Sequence, residues 1–287
     1  MSATVDLHLH TTASDGSCTP AGLLPLLRTR GIDTFAITDH DGVEGAVEML
    51  RLAPPDLRFI PGVEFSCRSA VGKYHILGYG FDPAHPEIQA AVEEGRQLRR
   101  RKQAQRIRWL EQQHGIRLTE EERRWLDSRK SPGKPHLGQV LLNRGLDTEG
   151  TGMMGVLRRY VNGFKGSNDR ISAETAVRAI RRAGGVAVWA HPLGGEGKRH
   201  KTSEELQPLL SDLLAHGVEG MECWYSRYSM EENALLMNLA RQHGLLISGG
   251  SDFHGAPKPD LLPGTLCSEG VSPEPEQLTV LEACSAK

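Results

Sequence analysis

TVDLHLHTTASDGSCTPAGLLPLLRTRGIDTFAITDHDGVEGAVEMLRLAPPDLRFIPGVE, residues 4–64, is the stretch that decides the fold class. Short apolar runs at 4–9, 34–38 and 59–61 alternate with stretches at 23–30 and 43–52 whose apolar residues recur at helical spacing. In such a βαβα rhythm each helix carries the chain back across the sheet, so the strands are expected to run parallel. Each run also ends on ionisable residues: His8 and His10, then Asp39, His40 and Asp41, then Glu64.

Further along, the rhythm stops after Asp82, and about eighty residues read as helix and loop. They include a basic run of Arg96, Arg99, Arg100, Arg101, Lys102, Arg106 and Arg108, which could guide a polyanion but is spaced as on the solvated face of a helix, the commoner case. Strand and helix then alternate again, with helices at 173–183, 206–216 and 231–243, strands at 186–190, 220–223 and 245–248, and a short helix after Pro273. The expected architecture is α/β: a distorted, nearly closed TIM-like barrel of six or seven strands, formed by residues 1–90 and 168–287, with an inserted helical module at 91–167 facing the substrate.

The bulk numbers exclude several classes. A chain of 287 residues with 38% hydrophobic and 24% charged residues can bury a full core and is not of disordered composition. A formal net charge of −2 argues against a globally basic nucleic-acid binder, so any preference for anions has to come from a local site. The five cysteines never adopt a CxxC spacing, which signals neither a disulfide framework nor a thiolate zinc site. The first residues show no basic segment followed by an apolar run, and no apolar stretch reaches membrane-spanning length, so a cytoplasmic protein without a membrane partner is expected. No obligate protein partner is evident.

The chemistry lies in where the imidazoles and carboxylates fall. In a parallel barrel the C-terminal strand ends converge on one face. His8, His10, His40, Glu64, His75, His191, Asp252 and His254 all lie at or just after an expected strand, which gathers them into one pocket. His8 and His10 flank Leu9, and the two-residue strand period turns both rings to one side. An HxH pair alone occurs in ordinary strands, His40 and Glu64 taken singly read equally well as caps or surface pairs, and His191 as a core histidine. Together they specify a metal centre. Asp252-Phe253-His254 repeats the HxH device at the other end of the chain, after Gly249-Gly250-Ser251, which allows a sharp bend and close backbone approach.

Asp6-Leu7-His8-Leu9-His10-Thr11-Thr12-Ala13-Ser14-Asp15-Gly16, Ile37-Thr38-Asp39-His40-Asp41, Gly62-Val63-Glu64, Ala190-His191-Pro192 and Gly250-Ser251-Asp252-Phe253-His254 resemble the motifs of the PHP (polymerase and histidinol phosphatase) family. The resemblance implies a distorted (β/α)7 barrel that holds two or three divalent ions (Mn, Zn, Fe or Mg) for phosphoester hydrolysis. Carried over, it places His8, His10, Glu64 and Asp252 on a first ion, Glu64, His75 and His191 on a second, and Asp15, His40 and His254 on a third. Where some members have histidine in the first loop, Asp15 is a harder ligand that favours Mn or Mg. The insert between His75 and His191 resembles that of members acting on 3′,5′-nucleotide bisphosphates and short RNA 5′ ends, with Lys134-Pro135-His136 matching a basic residue and a histidine there. Lys165, Lys198, Arg199 and His200 are further candidates for a second phosphate, while Trp109 and Trp125 read as packing residues.

The expected reaction is attack on phosphorus by a metal-activated hydroxide, with Glu64, Asp252 and His254 as the catalytic residues and either His254 or Asp252 protonating the leaving oxygen. A phosphorylated small molecule or short oligonucleotide is the expected substrate. A histidinol-phosphatase-like or general phosphomonoesterase is the near alternative. C–N hydrolysis of the amidohydrolase type, or a non-catalytic, metal-stabilised nucleic-acid or polymerase-associated module, is the distant one.

Overall fold

Alternation builds the first wall of the barrel. The computed structural model describes residues 4–147, 149–166, 169–195 and 199–284. Strand β1 (Thr4–Leu9) leads through helix α1 (Pro20–Thr29) to β2 (Ile32–Ile37), and helix α2 (Glu44–Leu52) leads to β3 (Arg58–Arg68). Thr19 caps α1 by accepting from the Gly22 N–H, and Pro20 occupies the first helical turn, where a missing N–H costs nothing. β1–β2 and β2–β3 pair in parallel, as expected.

The next strand breaks that rule. β4 (Lys73–Tyr79) runs antiparallel to β3, because only residues 69–72 separate the two and so short a link cannot make a crossover; the Ser69 N–H donates to the Gly72 carbonyl inside the turn. The expectation of a wholly parallel sheet is therefore corrected at β4. The hairpin sets His75 opposite Ser66, two residues along β3 from Glu64, and so turns His75 and Glu64 to one face.

Helices α3 (Pro86–His114), α4 (Glu120–Asp127), α5 (Lys134–Asn143) and α6 (Gly152–Tyr160) follow. The chain returns through the short β5 (Ile171–Ser172), α7 (Ala173–Arg182), β6 (Val186–Trp189), α8 (Ser203–Ala215), β7 (Gly220–Tyr225), α9 (Met230–Gln242) and β8 (Leu246–Gly250), ending in a 3-10 turn at Pro275–Gln277 and α10 (Val280–Ala283). The sheet order is β1-β2-β3-β4-β6-β7-β8, with β5 added on β3. Where β8 meets β1, Leu9 bridges Phe253 and the His10 N–H donates to the Phe253 carbonyl at 2.9 Å, which brings the two ends of the sheet together.

The main apolar core lies between this sheet and its helices, and a separate cluster from Ile107 to Val161 lies among α3–α6. Helix α3 belongs to both. Ile88, Ala91 and Val92 pack into the main core, whereas Ile107 and Leu110 start the helical cluster. The stretch between them, Arg99 to Arg106, is consequently carried past the barrel mouth by a helix anchored at each end.

Candidate metal centre and the cleft beside it

Strand periodicity delivers the first donors. His8 and His10 are fully buried at the end of β1, and Gly250 lets the chain of Asp252 approach them: a Cβ on Gly250 would lie 2.2 Å from the His8 Cβ. Asp252 itself takes a left-handed backbone (φ 57°), as do Asp41 (φ 47°) and His191 (φ 30°), so three of the rare positive-φ side chains cluster at one place. Asp6 ties the two chain ends together, its carboxylate accepting from the Ser251 and Gly264 N–H groups at 2.9 and 2.7 Å. Asp39, buried, accepts from the Thr11 N–H, the Thr11 hydroxyl and the Ser14 hydroxyl at 2.8, 2.6 and 2.6 Å, and so braces the loop that carries Asp15.

Glu64 sits at the centre. Its Oε2 lies 3.4 Å from His8 Nε2, 3.3 Å from His10 Nε2 and 2.9 Å from His40 Nδ1, while its Oε1 lies 2.6 Å from His75 Nδ1 and 3.0 Å from His191 Nε2. Asp252 Oδ1 stands 3.2 Å from His10 Nε2 and 3.6 Å from His8 Nε2, and Asp15 Oδ1 3.4 Å from His254 Nε2. His254 Nδ1 donates to the Asp252 carbonyl at 2.8 Å, which fixes the tautomer and leaves Nε2 with its lone pair. Burial alone would raise the Glu64 pKa, but His40, His75 and His8 hold its carboxyl well below the usual range; Asp15 is held down likewise by His40 and His254.

Three groups of donors result, each with its ligand atoms within 4.8 Å of one another: His8, His10, Glu64 and Asp252; His10, Asp15, His40 and His254; and His40, Glu64 and His75. Deep inside them His8 Nε2, both His10 nitrogens, Asp15 Oδ1, His40 Nδ1 and Glu64 Oε2 have no hydrogen-bond partner. Buried polar atoms left in this way cost on the order of 1–3 kcal/mol each. Convergent lone pairs of imidazole and carboxylate are the donor set of first-row divalent metals, so the residues present fit such ions. The first group coincides with the set expected for a first ion. His40 belongs to both of the other groups, and His191 meets the same Glu64 oxygen as His75, the two rings 5.0 Å apart.

Several residues that hold this centre escaped the sequence reading. Glu222 accepts from the His191 N–H and meets His8 Nδ1, both at 2.7 Å. Tyr225 and Lys258 donate to Asp252 Oδ2 at 2.8 and 2.6 Å, leaving Oδ1 to face the imidazoles. An acid inside the wholly buried strand GMECWY was the available signal for Glu222; Lys258 carried none.

The cleft opening on Asp15, His40 and His75 is lined by cations. Arg99, Lys102 and Arg106 occupy one face of α3, and Arg170 and Lys134 complete the wall. The solvated face expected for the basic run holds for Arg100, Arg101 and Arg108, which are exposed, but not for the rest: Arg96 pairs with Glu44 and Arg99 with Asp41, while Arg106 is 8% exposed with its Nε unpartnered. Burial, together with Arg99 and Arg170, presses the Arg106 pKa down to about 10.

The other expected substrate contacts fall as follows. Lys134 donates to Asn162 Oδ1 at 2.9 Å at the rim of the cleft. His136 is turned inward, its Nδ1 accepting from the Gly133 N–H at 3.0 Å to cap α5 and its ring edge-on to Trp125. Lys165 is exposed in a loop outside the cleft lining, Arg199 forms a two-pronged pair with Glu205, His200 is bound to Glu232, and Lys198 lies outside the described residues.

Imidazoles and carboxylates gathered at the open end of a barrel, with orphaned lone pairs turned inward, define a metal-centred enzyme. No family model matches the chain. It is 32% identical over 256 residues to the 3′,5′-nucleoside bisphosphate phosphatase of Chromobacterium violaceum, covering 88% of this chain and 87% of that protein. It is 34% identical over 260 residues to the 5′-3′ exoribonuclease Rnm of Salmonella typhimurium, covering 87% and 84%. Among solved structures it superposes on an amidohydrolase from Chromobacterium violaceum with bound sulfate and no metal (TM-score 0.81, 31% identity, 99% and 96% covered). It also superposes on a Bifidobacterium adolescentis protein described as a metal-dependent phosphoesterase (TM-score 0.76, 26% identity, 93% and 94% covered). The chain belongs to the PHP family of metal-dependent phosphoesterases, in the group that contains these bisphosphate phosphatase and exoribonuclease relatives.

Among the described residues no helix is long and apolar enough to cross a membrane.

Proposed function

We propose that the chain removes phosphate from nucleotides that carry a second phosphate: a nucleoside 3′,5′-bisphosphate or a short 5′-phosphorylated RNA. Two or three divalent ions, of Mn, Zn, Fe or Mg, are held by His8, His10, Glu64 and Asp252, by Glu64, His75 and His191, and by Asp15, His40 and His254. When bound, such ions supply Lewis-acid stabilisation of phosphoryl oxygens and an ionised water near neutral pH.

The protein's own side chains do the rest. Glu64 orients five imidazoles around one carboxylate. Tyr225 and Lys258 fix the rotamer of Asp252. Arg99, Lys102, Arg106 and Arg170 receive the phosphate that is not cleaved and thereby set the reacting ester against the centre, with Lys134 at the rim.

The observation that carries this reading is Arg106, a guanidinium buried beside two others in a cleft that opens on the metal ligands. Like charges are gathered at that cost where an anion arrives to neutralise them. The homology to bisphosphate phosphatase and exoribonuclease relatives supports the same substrate class. Metal analysis of protein purified without chelator, followed by kcat/KM for a nucleoside 3′,5′-bisphosphate, the matching monophosphate and histidinol phosphate in one buffer, tests it. A preference of about a hundredfold for the bisphosphate is expected from two charge-assisted contacts; equal values refute the role of the second phosphate.

A further inference from the structure

Helix α3 presents a second cavity on the face adjoining its cleft-lining arginines. This cavity, of about 420 Å³, is lined by Arg100, Gln103, Ile107, Arg108, Arg123 and Leu126, and Pro132 lines both it and the cleft. Its inner wall holds an anomaly. Gln103 is 4% exposed, yet neither its Oε1 nor its Nε2 has a hydrogen-bond partner, and Ser131 Oγ beside Pro132 is buried and unpartnered too. An amide with both its donor and its acceptor unmet is costly unless a ligand meets them. Arg100 and Arg108 are exposed and have no carboxylate partner among the described residues.

We propose that this cavity is the subsite for the nucleotide that follows the hydrolysed one in a short single strand, with its base edge on Gln103. The inference rests on reading the adjoining cleft as a nucleotide phosphoesterase site. A nucleobase matches the lining on three counts. Its edge offers the paired donor and acceptor that a carboxamide binds in two-pronged fashion. Its faces suit the apolar walls of Ile107 and Leu126, and arginine planes add stacking. Its phosphodiester suits Arg100 and Arg108 on α3, while α4 lines the cavity with both Arg123 and Asp127. Gln103 stands one helical turn from Arg99 and three residues before Arg106, neighbours on the helix surface, so a strand held at the cleft passes into the cavity by crossing α3.

The test compares wild type, Gln103→Leu and the double variant Arg100→Ala/Arg108→Ala. Each is assayed on a nucleoside 3′,5′-bisphosphate and on a 5′-phosphorylated tetraribonucleotide. Anisotropy of the labelled tetraribonucleotide reads binding apart from turnover, and thermal melting checks the fold. Gln103→Leu is expected to raise KM and Kd for the tetraribonucleotide roughly tenfold and to leave kcat/KM for the bisphosphate within about twofold. The double variant should behave in the same way and flatten the salt dependence of binding. Unchanged tetraribonucleotide Kd in both variants, or equal losses on both substrates, overturns the proposal. Should wild type hydrolyse neither substrate while Kd still depends on Gln103, the phosphoesterase reading of the cleft fails and the subsite stands.

Discussion

Arg106→Met separates two consequences of one buried charge. A pKa depressed from 12.5 to about 10 corresponds to about 3 kcal/mol of unfavourable energy in the charged side chain, since each pH unit is worth about 1.4 kcal/mol. Methionine keeps a long apolar stem in the same space, and replacement of buried charge by apolar side chains of similar volume has stabilised other proteins by about 1–4 kcal/mol. The variant is therefore expected to be more stable than wild type in buffer without phosphate or nucleotide. At about 2–4 °C per kcal/mol, that is a rise in Tm of roughly 5–10 °C. The sign with pH follows from protonation: below about pH 10 the arginine is charged in both the folded and the unfolded chain, so the gain is flat from about pH 5 to about pH 7 and falls above that as Lys102 loses its charge and its repulsion with Arg106. Activity should move the other way. The cleft loses a charge-assisted contact worth about 1.5–3 kcal/mol, which is a ten- to hundredfold loss in kcat/KM on a nucleoside bisphosphate. Inorganic phosphate should raise the wild-type Tm and leave that of the variant nearly still. A variant less stable than wild type, with undiminished kcat/KM, refutes the argument that this guanidinium is held in reserve for an anion.

Other predictions address the centre and its supports. Glu64→Gln removes the charge that five imidazoles surround and is expected to lower kcat at least about a thousandfold and to release metal on dialysis; near wild-type turnover with full metal content sinks the assignment. Glu222→Gln is expected to weaken metal binding about 10–100-fold in chelator competition, because it anchors both His8 and the His191 backbone. Lys102, whose pKa burial and the neighbouring Arg170 and Arg106 bring down to about 8, is charged below that pH and neutral above it; KM for a bisphosphate should climb on the alkaline side, and Lys102→Arg should remove the climb.

The ionisable residues at strand ends were legible because a strand's two-residue period and the convergence of barrel strands are local rules applied many times over. His8, His10 and Glu64 meet without any knowledge of the loops. The antiparallel β4 was not legible from strand composition, since an apolar run carries no direction; only the shortness of 69–72 did, through the crossover it forbids. Which arginines of α3 turn to the cleft was not legible for a different reason. Arg99, Arg100 and Arg101 in succession cover most of the helix circumference, so the sequence shows a basic belt and hides the face that turns to the cleft. Arg199 is the reverse case, a loop cation offered by the sequence that the fold pairs with Glu205, the capping acid of α8.

The cleft-facing side of α3 is tied to the cluster of imidazoles and carboxylates through Asp41. Arg99 donates to Asp41 and, at 2.8 Å, to the Ser66 hydroxyl, while Asp41 accepts from the Ser66 N–H at 2.9 Å. Asp41 follows His40, which faces Glu64, and holds a left-handed backbone, so the same turn that presents this imidazole also grips the helix that presents the cations. The first turns of α3 are meanwhile fixed in the barrel core by Ile88, Ala91 and Val92. The position of Arg106 relative to Glu64 is thus set by the barrel and Asp41 on one side and by the helical cluster that begins at Ile107 on the other. Ile107 and Leu126 of that cluster line the cavity at Gln103, whereas the cleft also takes its wall from Asp15, His40, Asp41 and His75 of the barrel, so loosening the cluster should alter the cavity more than the cleft.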